Sequence, residues 1–241
     1  MLSCFLHSFL LAASHRSLGA SLHTILSVTY PADVSHVLAH RSALREGGSR
    51  TALGEWATYQ HTTATFEGEP VSVARIDQLG VPGYCVFLAR ATEQRFVTAA
   101  VAAGARVVAP DALEAARIEA GYPLFGIDMT EETIPLEAGI EQRAISFSKG
   151  CFVGQEVVIR VLHRGGGRVA KRLVGFTLAG GVSAGARVLS GERDIGFLTS
   201  VATSPRLGPI ALGYVHRDFT SAGTGVQVDG HPATVVGLPM G

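Results

Sequence analysis

The sequence predicts an α+β protein in two parts, a layer of strands and helices followed by a small all-β domain. Three observations carry that reading. From Val71 onward, strand-like and helix-like runs alternate. After Gly167 every apolar run is short and β-like, separated by turns and loops. No G-x-G-x-x-G follows a strand and no G-x-x-x-x-G-K-[ST] occurs, so a doubly wound nucleotide-binding fold is set aside.

Taken in order, Val71–Asp77 and Tyr84–Leu88 read as strands joined by a Gly/Pro turn at Leu79–Gly83. Ala91–Ala103 reads as a helix with Phe96, Val97, Ala100 and Val101 on one face, stopped by Gly104. Arg106–Ala109 is a short strand. Asp111 then caps a second helix, with Glu114 three residues on completing a reciprocal capping box. Gly121 and Pro123 end that helix. Gln155–Arg164 fits a short helix with Val157, Val158, Val161 and Leu162 on one face, and Glu156 four residues ahead of Arg160 for a favourable pair. The β-like runs are Arg172–Leu178, Ala186–Leu189, Ile195–Ala202, Ile210–Val215 and Gly225–Asp229, at spacings typical of a small sandwich or barrel. Pro and Gly crowd the last residues, which read as a surface tail. A boundary near Gly165 follows, giving three segments: 1-68, which matches no recognised pattern, 69-164 and 165-241.

Composition narrows the function classes. The chain has 241 residues, 47% of them hydrophobic, and a formal net charge of zero. It can bury a real core, and nothing in its charge argues for nucleic acid as a partner. Cys4, Cys85 and Cys151 are widely spaced, without C-x-x-C or His/Cys ligand patterns, so neither a disulfide framework nor a metal site is expected. A reducing cytoplasm is the default. Met1–Ser14 is apolar, but no basic residue precedes it, and it is shorter than the about 20 residues a spanning helix needs. No membrane association is expected.

The chemistry concentrates in Lys149-Gly-Cys-Phe-Val-Gly-Gln-Glu-Val-Val-Ile-Arg160, which leads into His163-Arg-Gly-Gly-Gly167. Cys151 lies just ahead of a helix-like segment, where free N–H groups lower a thiol pKa, and Lys149 adds positive charge beside it. The competing reading is a small residue filling a junction between layers, since most unpaired cysteines are buried and inert. Glu119 is the second candidate. It stands in the last helical turn, where the macrodipole disfavours an acid, and a broken local rule points mildly to function. A solvated glutamate is the plainer explanation. The acidic loop Asp128–Glu132 and Glu137 could line a site, although such loops are ordinarily solvated, and His163 could act as an acid or base or simply cap carbonyls.

Two blocks then carry a resemblance. Glu119-Ala-Gly-Tyr-Pro-Leu-Phe-Gly-Ile-Asp-Met-Thr-Glu-Glu-Thr-Ile-Pro-Leu-Glu-Ala-Gly139, followed by Lys149-Gly-Cys-Phe-Val-Gly-Gln-Glu156, resembles the YgfZ family of folate-binding proteins, which are related to the glycine-cleavage T-protein (aminomethyltransferase). The first block is shared in style by both branches and the second is specific to YgfZ, with Phe152 where Tyr is frequent. The resemblance runs from about Val71 to the C-terminus. It implies a T-protein-like folate-binding domain, incomplete at its N-terminus, followed by a C-terminal β-barrel. It also implies a tetrahydrofolate ligand and a cytoplasmic accessory role in iron–sulfur cluster assembly or repair, with iron–sulfur client or assembly proteins as partners. By the same resemblance Glu119 grips the pterin, Cys151 handles redox or sulfur chemistry with Lys149 beside it, and Gln155 and Arg160 are further ligand-binding candidates. A carboxylate accepting two parallel hydrogen bonds suits the adjacent N–H donors of a pterin ring. Residues 1-68 lack the Thr-Asn-Asp-like motif with which the family's folate domain begins. Two alternatives therefore stay open: an aminomethyltransferase, and a degenerate module that folds without binding folate. Whether the protein turns over a substrate is open at this stage.

Overall fold

The computed structural model describes residues 9–14, 23–29, 56–76, 79, 83–102, 105–146, 148, 150, 155–164 and 166–241. The chain divides into two compact units, Met1–Pro110 and Asp111–Gly241. The α+β class and the C-terminal barrel expected from sequence are both present.

The first unit is built on one six-stranded sheet. Its strands are β1 (Phe9–Ser14), β2 (His23–Thr29), β3 (His61–Phe66), β4 (Glu69–Arg75), β5 (Gly83–Ala89) and β6 (Arg106–Val107). They lie in the order β3-β4-β5-β2-β1-β6, antiparallel throughout except for the parallel pair β1 and β6. The apolar N-terminal stretch thus supplies a strand, Phe9–Ser14. β3 and β4 are joined by Glu67-Gly68, both at positive φ, the geometry of a tight two-residue hairpin turn. Along β4 the alternation is clean, with Val71 and Val73 buried and Ser72 exposed. Helix α1 (Glu93–Ala102) places Phe96 and Ala100 on the core, where Phe66 meets Phe96 edge-on with ring centroids 5.1 Å apart. Val101, expected on the same face, is exposed instead. Gly104, the expected stop, lies outside the described residues.

The second unit opens with α2 (Pro110–Glu119). Pro110 takes the first helical position, where its fixed φ suits the helix and its missing N–H leaves no bond unmade. Asp111 therefore lies inside the helix rather than capping it, and Glu114 turns to Arg117 instead of closing a capping box. The predicted stop is where it was read. Gly121 adopts φ +68, with Gly121 N bonded to Ile118 O and Tyr122 N to Arg117 O, a Schellman ending. Short helices α3 (Glu141–Ala144) and α4 (Gln155–Ile159) follow, and α4 runs into a π-turn over Arg160–Arg164.

A closed six-stranded barrel completes the unit: β7 (Lys171–Leu178), β8 (Arg187–Ser190), β9 (Arg193–Ser204), β10 (Gly208–His216), β11 (Gly225–Val228) and β12 (His231–Val236), in the cyclic order β10-β7-β12-β11-β8-β9. β12 is absent from the sequence reading, and without it the barrel would not close. Asp229 and Gly230, both at positive φ, turn β11 into β12. β10 is buried on both faces: Ala211 and Val215 join the barrel interior, while Ile210, Leu212 and Tyr214 pack outside it with Ile118 of α2. That outer cluster explains why the compact unit begins at Asp111, whereas the sequence places a boundary near Gly165. The C-terminal residues are not a surface tail either, since Met240 is buried in the same cluster.

Candidate functional site

Glu119 is the last residue of α2, and both of its carboxylate oxygens are engaged. Oε1 accepts from the Ser204 hydroxyl and Oε2 from Arg206, at 2.8 Å. Ser204 caps the turn that follows β9 by accepting from Arg206 N and Leu207 N. The backbone completes a clasp, with Met240 N donating to Glu119 O at 2.7 Å and Arg206 donating to Met240 O at 3.0 Å. The acid that the macrodipole disfavours is thus offset by a guanidinium from the barrel. Each Glu119 oxygen keeps a further lone pair, and the side chain is 20% exposed.

Two residues earlier stands a group that sequence reasoning passed over. Arg117 is 4% exposed and uses all five of its N–H donors. Nε and one Nη go to Glu114, the other Nη reaches Asp128 at 2.6 Å and Tyr122 O at 3.3 Å, and the remaining donor reaches Ser200 Oγ at 2.6 Å. Asp128 is equally saturated, accepting from Arg117 and Leu124 N on one oxygen and from Ser200 and Thr199 on the other. The expectation that the Asp128–Glu132 loop is simply solvated fails at its first residue. A buried carboxylate needs a charged partner and full hydrogen bonding, and the barrel strand β9 supplies half of it. In sequence Glu114 is taken up by the capping-box reading, and nothing local to Arg117 marks it as buried.

Tyr214 of β10 lies near this network. Its hydroxyl is buried without a hydrogen-bond partner among the described residues. Burial pushes the phenol well above its ordinary value of 10.0, the Asp128 and Glu137 carboxylates add to the effect, and the nearby Thr133 side chain acts the other way. The folded state therefore holds this proton more tightly than the unfolded chain. The resulting stabilisation is complete below about pH 10 and is lost as pH rises above it. Urea unfolding between pH 7 and pH 11 is expected to show that loss, and Tyr214→Phe is expected to reduce the alkaline slope while leaving stability at pH 7 within about 1 kcal/mol. An identical slope in the variant would assign the alkaline loss to other groups.

Lys149 and Cys151 lie outside the described residues. Gln155 opens α4 half-buried, and Arg160 is exposed where the π-turn begins. No Glu156–Arg160 ion pair forms among the described residues, because the wider π-turn starts at Arg160 and changes the four-residue spacing. On the expected face Val158, Val161 and Leu162 are half-buried and Val157 is exposed, while Ile159, off that face, is exposed. Cys85 is buried in β5. Among the described residues, no group of three or more His, Cys, Asp or Glu side chains is placed to hold a metal ion, and no helix is long and apolar enough to cross a membrane.

Comparison with known proteins gives this geometry a context. Residues 171–240 match the family model of the glycine cleavage T-protein C-terminal barrel domain. The chain is 35% identical over 195 residues to an aminomethyltransferase of Thermosynechococcus vestitus, covering 78% of this chain and 52% of that protein. It is 36% identical over 181 residues to an aminomethyltransferase of Thermus thermophilus, covering 73% of this chain and 49% of the relative. The chain thus spans about half the length of the curated relatives it matches. The fold matches the crystal structure of glycine cleavage system aminomethyltransferase T from Bartonella henselae, with a TM-score of 0.73 and 23% identity over 91% of this chain and 60% of that one. The fold is therefore that of the T-protein.

Proposed function

We propose that the protein binds a reduced folate and acts in aminomethyl or related one-carbon transfer. The observation that carries this reading is the 35% identity to an aminomethyltransferase across most of the chain, on a T-protein fold. Bound tetrahydrofolate would supply the one-carbon acceptor. The chain's own contribution in the second unit is a rigid support: the Arg117–Asp128 clamp fixes the exit of α2 against the barrel. Glu119, held in place by Ser204 and Arg206 with a lone pair left on each oxygen, is the proposed grip on the pterin.

A second reading rests on a specific sequence feature. Lys149-Gly-Cys-Phe-Val-Gly-Gln-Glu156 is the run that separates the YgfZ branch from the methyltransferase branch by resemblance. It favours a folate-binding accessory role in iron–sulfur cluster assembly or repair, with Cys151 as the working thiol and iron–sulfur proteins as clients. One experiment separates the readings. The full chain at micromolar concentration is titrated with 5-formyltetrahydrofolate, then assayed for tetrahydrofolate-dependent turnover of an aminomethyl donor. Saturable binding with turnover supports the first reading, and saturable binding without turnover supports the second. No saturable signal sinks both and leaves a module that folds without the ligand.

A further inference from the structure

We propose that a cleft beside the exit of α2 is a binding site for a small organic carboxylate with an apolar body. The cleft has a volume of about 730 Å³, within the range of small-molecule sites. It lies wholly in the second unit, between the α2 exit, the loop into α3, strand β7 and the C-terminal segment. Its floor is preformed. Gly121 lies so close to the C-terminal segment that a Cβ there would stand 2.8 Å from Leu238, and Met240 N is bonded to Glu119 O just beyond. Ile140, Leu238 and Pro239 give the cavity an apolar lining.

The charges at its rim decide the ligand class. Arg143 lies over the Tyr122 ring, 4.0 Å from the centroid, which holds the plane of its guanidinium. Among the described residues no acceptor takes its N–H donors. Arg172 makes a single long contact, 3.5 Å to Glu141 Oε1, and both partners are partly exposed. Glu141 also lines the cavity and sets one negative charge against the two arginines, so the rim keeps a net positive charge. No other acidic residue and no lysine lines the cavity. The accessible rim is therefore cationic, with one oriented fork and a second loosely held. A planar fork matches a carboxylate in a bidentate fashion, and the apolar lining selects a ligand that brings a hydrophobic body with it.

The test is a two-dimensional ¹H–¹⁵N titration of the full chain with phenylacetate, phenylacetamide and inorganic phosphate. Phenylacetate is expected to give saturable shifts confined to residues 120–121, 138–143, 172–174 and 236–239. Phenylacetamide and phosphate are each expected to bind about tenfold more weakly, because one lacks the charge and the other the apolar body. Arg143→Gln should weaken phenylacetate by about fivefold or more, and Arg172→Gln by less. Both side chains are exposed, and unchanged barrel resonances confirm that each variant is folded. Equal binding of the amide, equal binding of phosphate, or no saturable shift would each overturn the assignment. Displacement of phenylacetate by 5-formyltetrahydrofolate would overturn it as a separate site and make the cleft part of the folate site.

Discussion

Arg117→Met is expected to lower the stability of the second unit by about 3–5 kcal/mol, the range found when one partner of a buried ion pair is removed. The Asp128 side chain is fully buried, so losing its guanidinium leaves a carboxylate with no solvent to turn to. Ser200 and Thr199 would still donate to it, but hydroxyl groups do not neutralise a charge. Asp128→Asn is expected to be milder, about 1–3 kcal/mol, since the amide keeps an acceptor while losing the ionic part. The double variant should lose less than the sum of the two, because the side chains belong to one network. Guanidinium unfolding followed by hydrogen exchange at barrel amides measures all three. A loss below about 1 kcal/mol for Arg117→Met would place the pair among surface-like ion pairs and remove its clamping role.

Gly196→Ala should disrupt the barrel about as strongly. Gly196 of β9 faces Val215 of β10, and a Cβ there would come within 1.9 Å of Tyr214 O and 3.0 Å of the Val215 Cα. Backbone cannot swing aside as a side chain can, so the two strands would have to part. The neighbouring Gly213 is also tight, 2.5 Å from Phe197 O, and it sits at the register shift after Leu212. Two close approaches at one irregularity are how this barrel turns its corner. A loss of about 3 kcal/mol or more is expected, against a change within about 1 kcal/mol for Gly225→Ala, where the added methyl meets nothing. Equal thermal midpoints for the two variants would contradict the close approach.

Legibility in the sequence followed the range of the interactions involved. Strands with strict alternation, such as the one carrying Val71 and Val73, and the glycine stop at Gly121 depend on neighbours a few residues away, and they were read correctly. β12 was missed because Pro232 interrupts the run that follows Asp229-Gly230, and a proline argues against a strand unless its partner tolerates it. In the barrel Pro232 pairs with Gln227, and the turn itself is a strong hairpin signal. The capping box at Asp111 failed because Pro110 started the helix one residue earlier. The Arg117–Asp128 clamp was illegible for a different reason. Its other half, Thr199 and Ser200, lies more than seventy residues along the chain, and nothing local marks either hydroxyl. Glu119 was singled out for breaking a helix rule, and the structure resolves the anomaly with Arg206, again from far along the sequence.

Closure of the barrel also divides the molecule's exposure to mispairing. All six barrel strands have both neighbours, so the barrel offers no unpaired row of backbone donors and acceptors to another chain. Among the described residues the sheet of the first unit is open, with β3 and β6 at its ends. β6 is only two residues long, too short to template a partner, whereas β3 runs from His61 to Phe66 with three threonines and no charge guarding it. Of the described strand edges, β3 is therefore the one most open to strand-to-strand self-association, and a lysine at Thr63 is the economical place to block it.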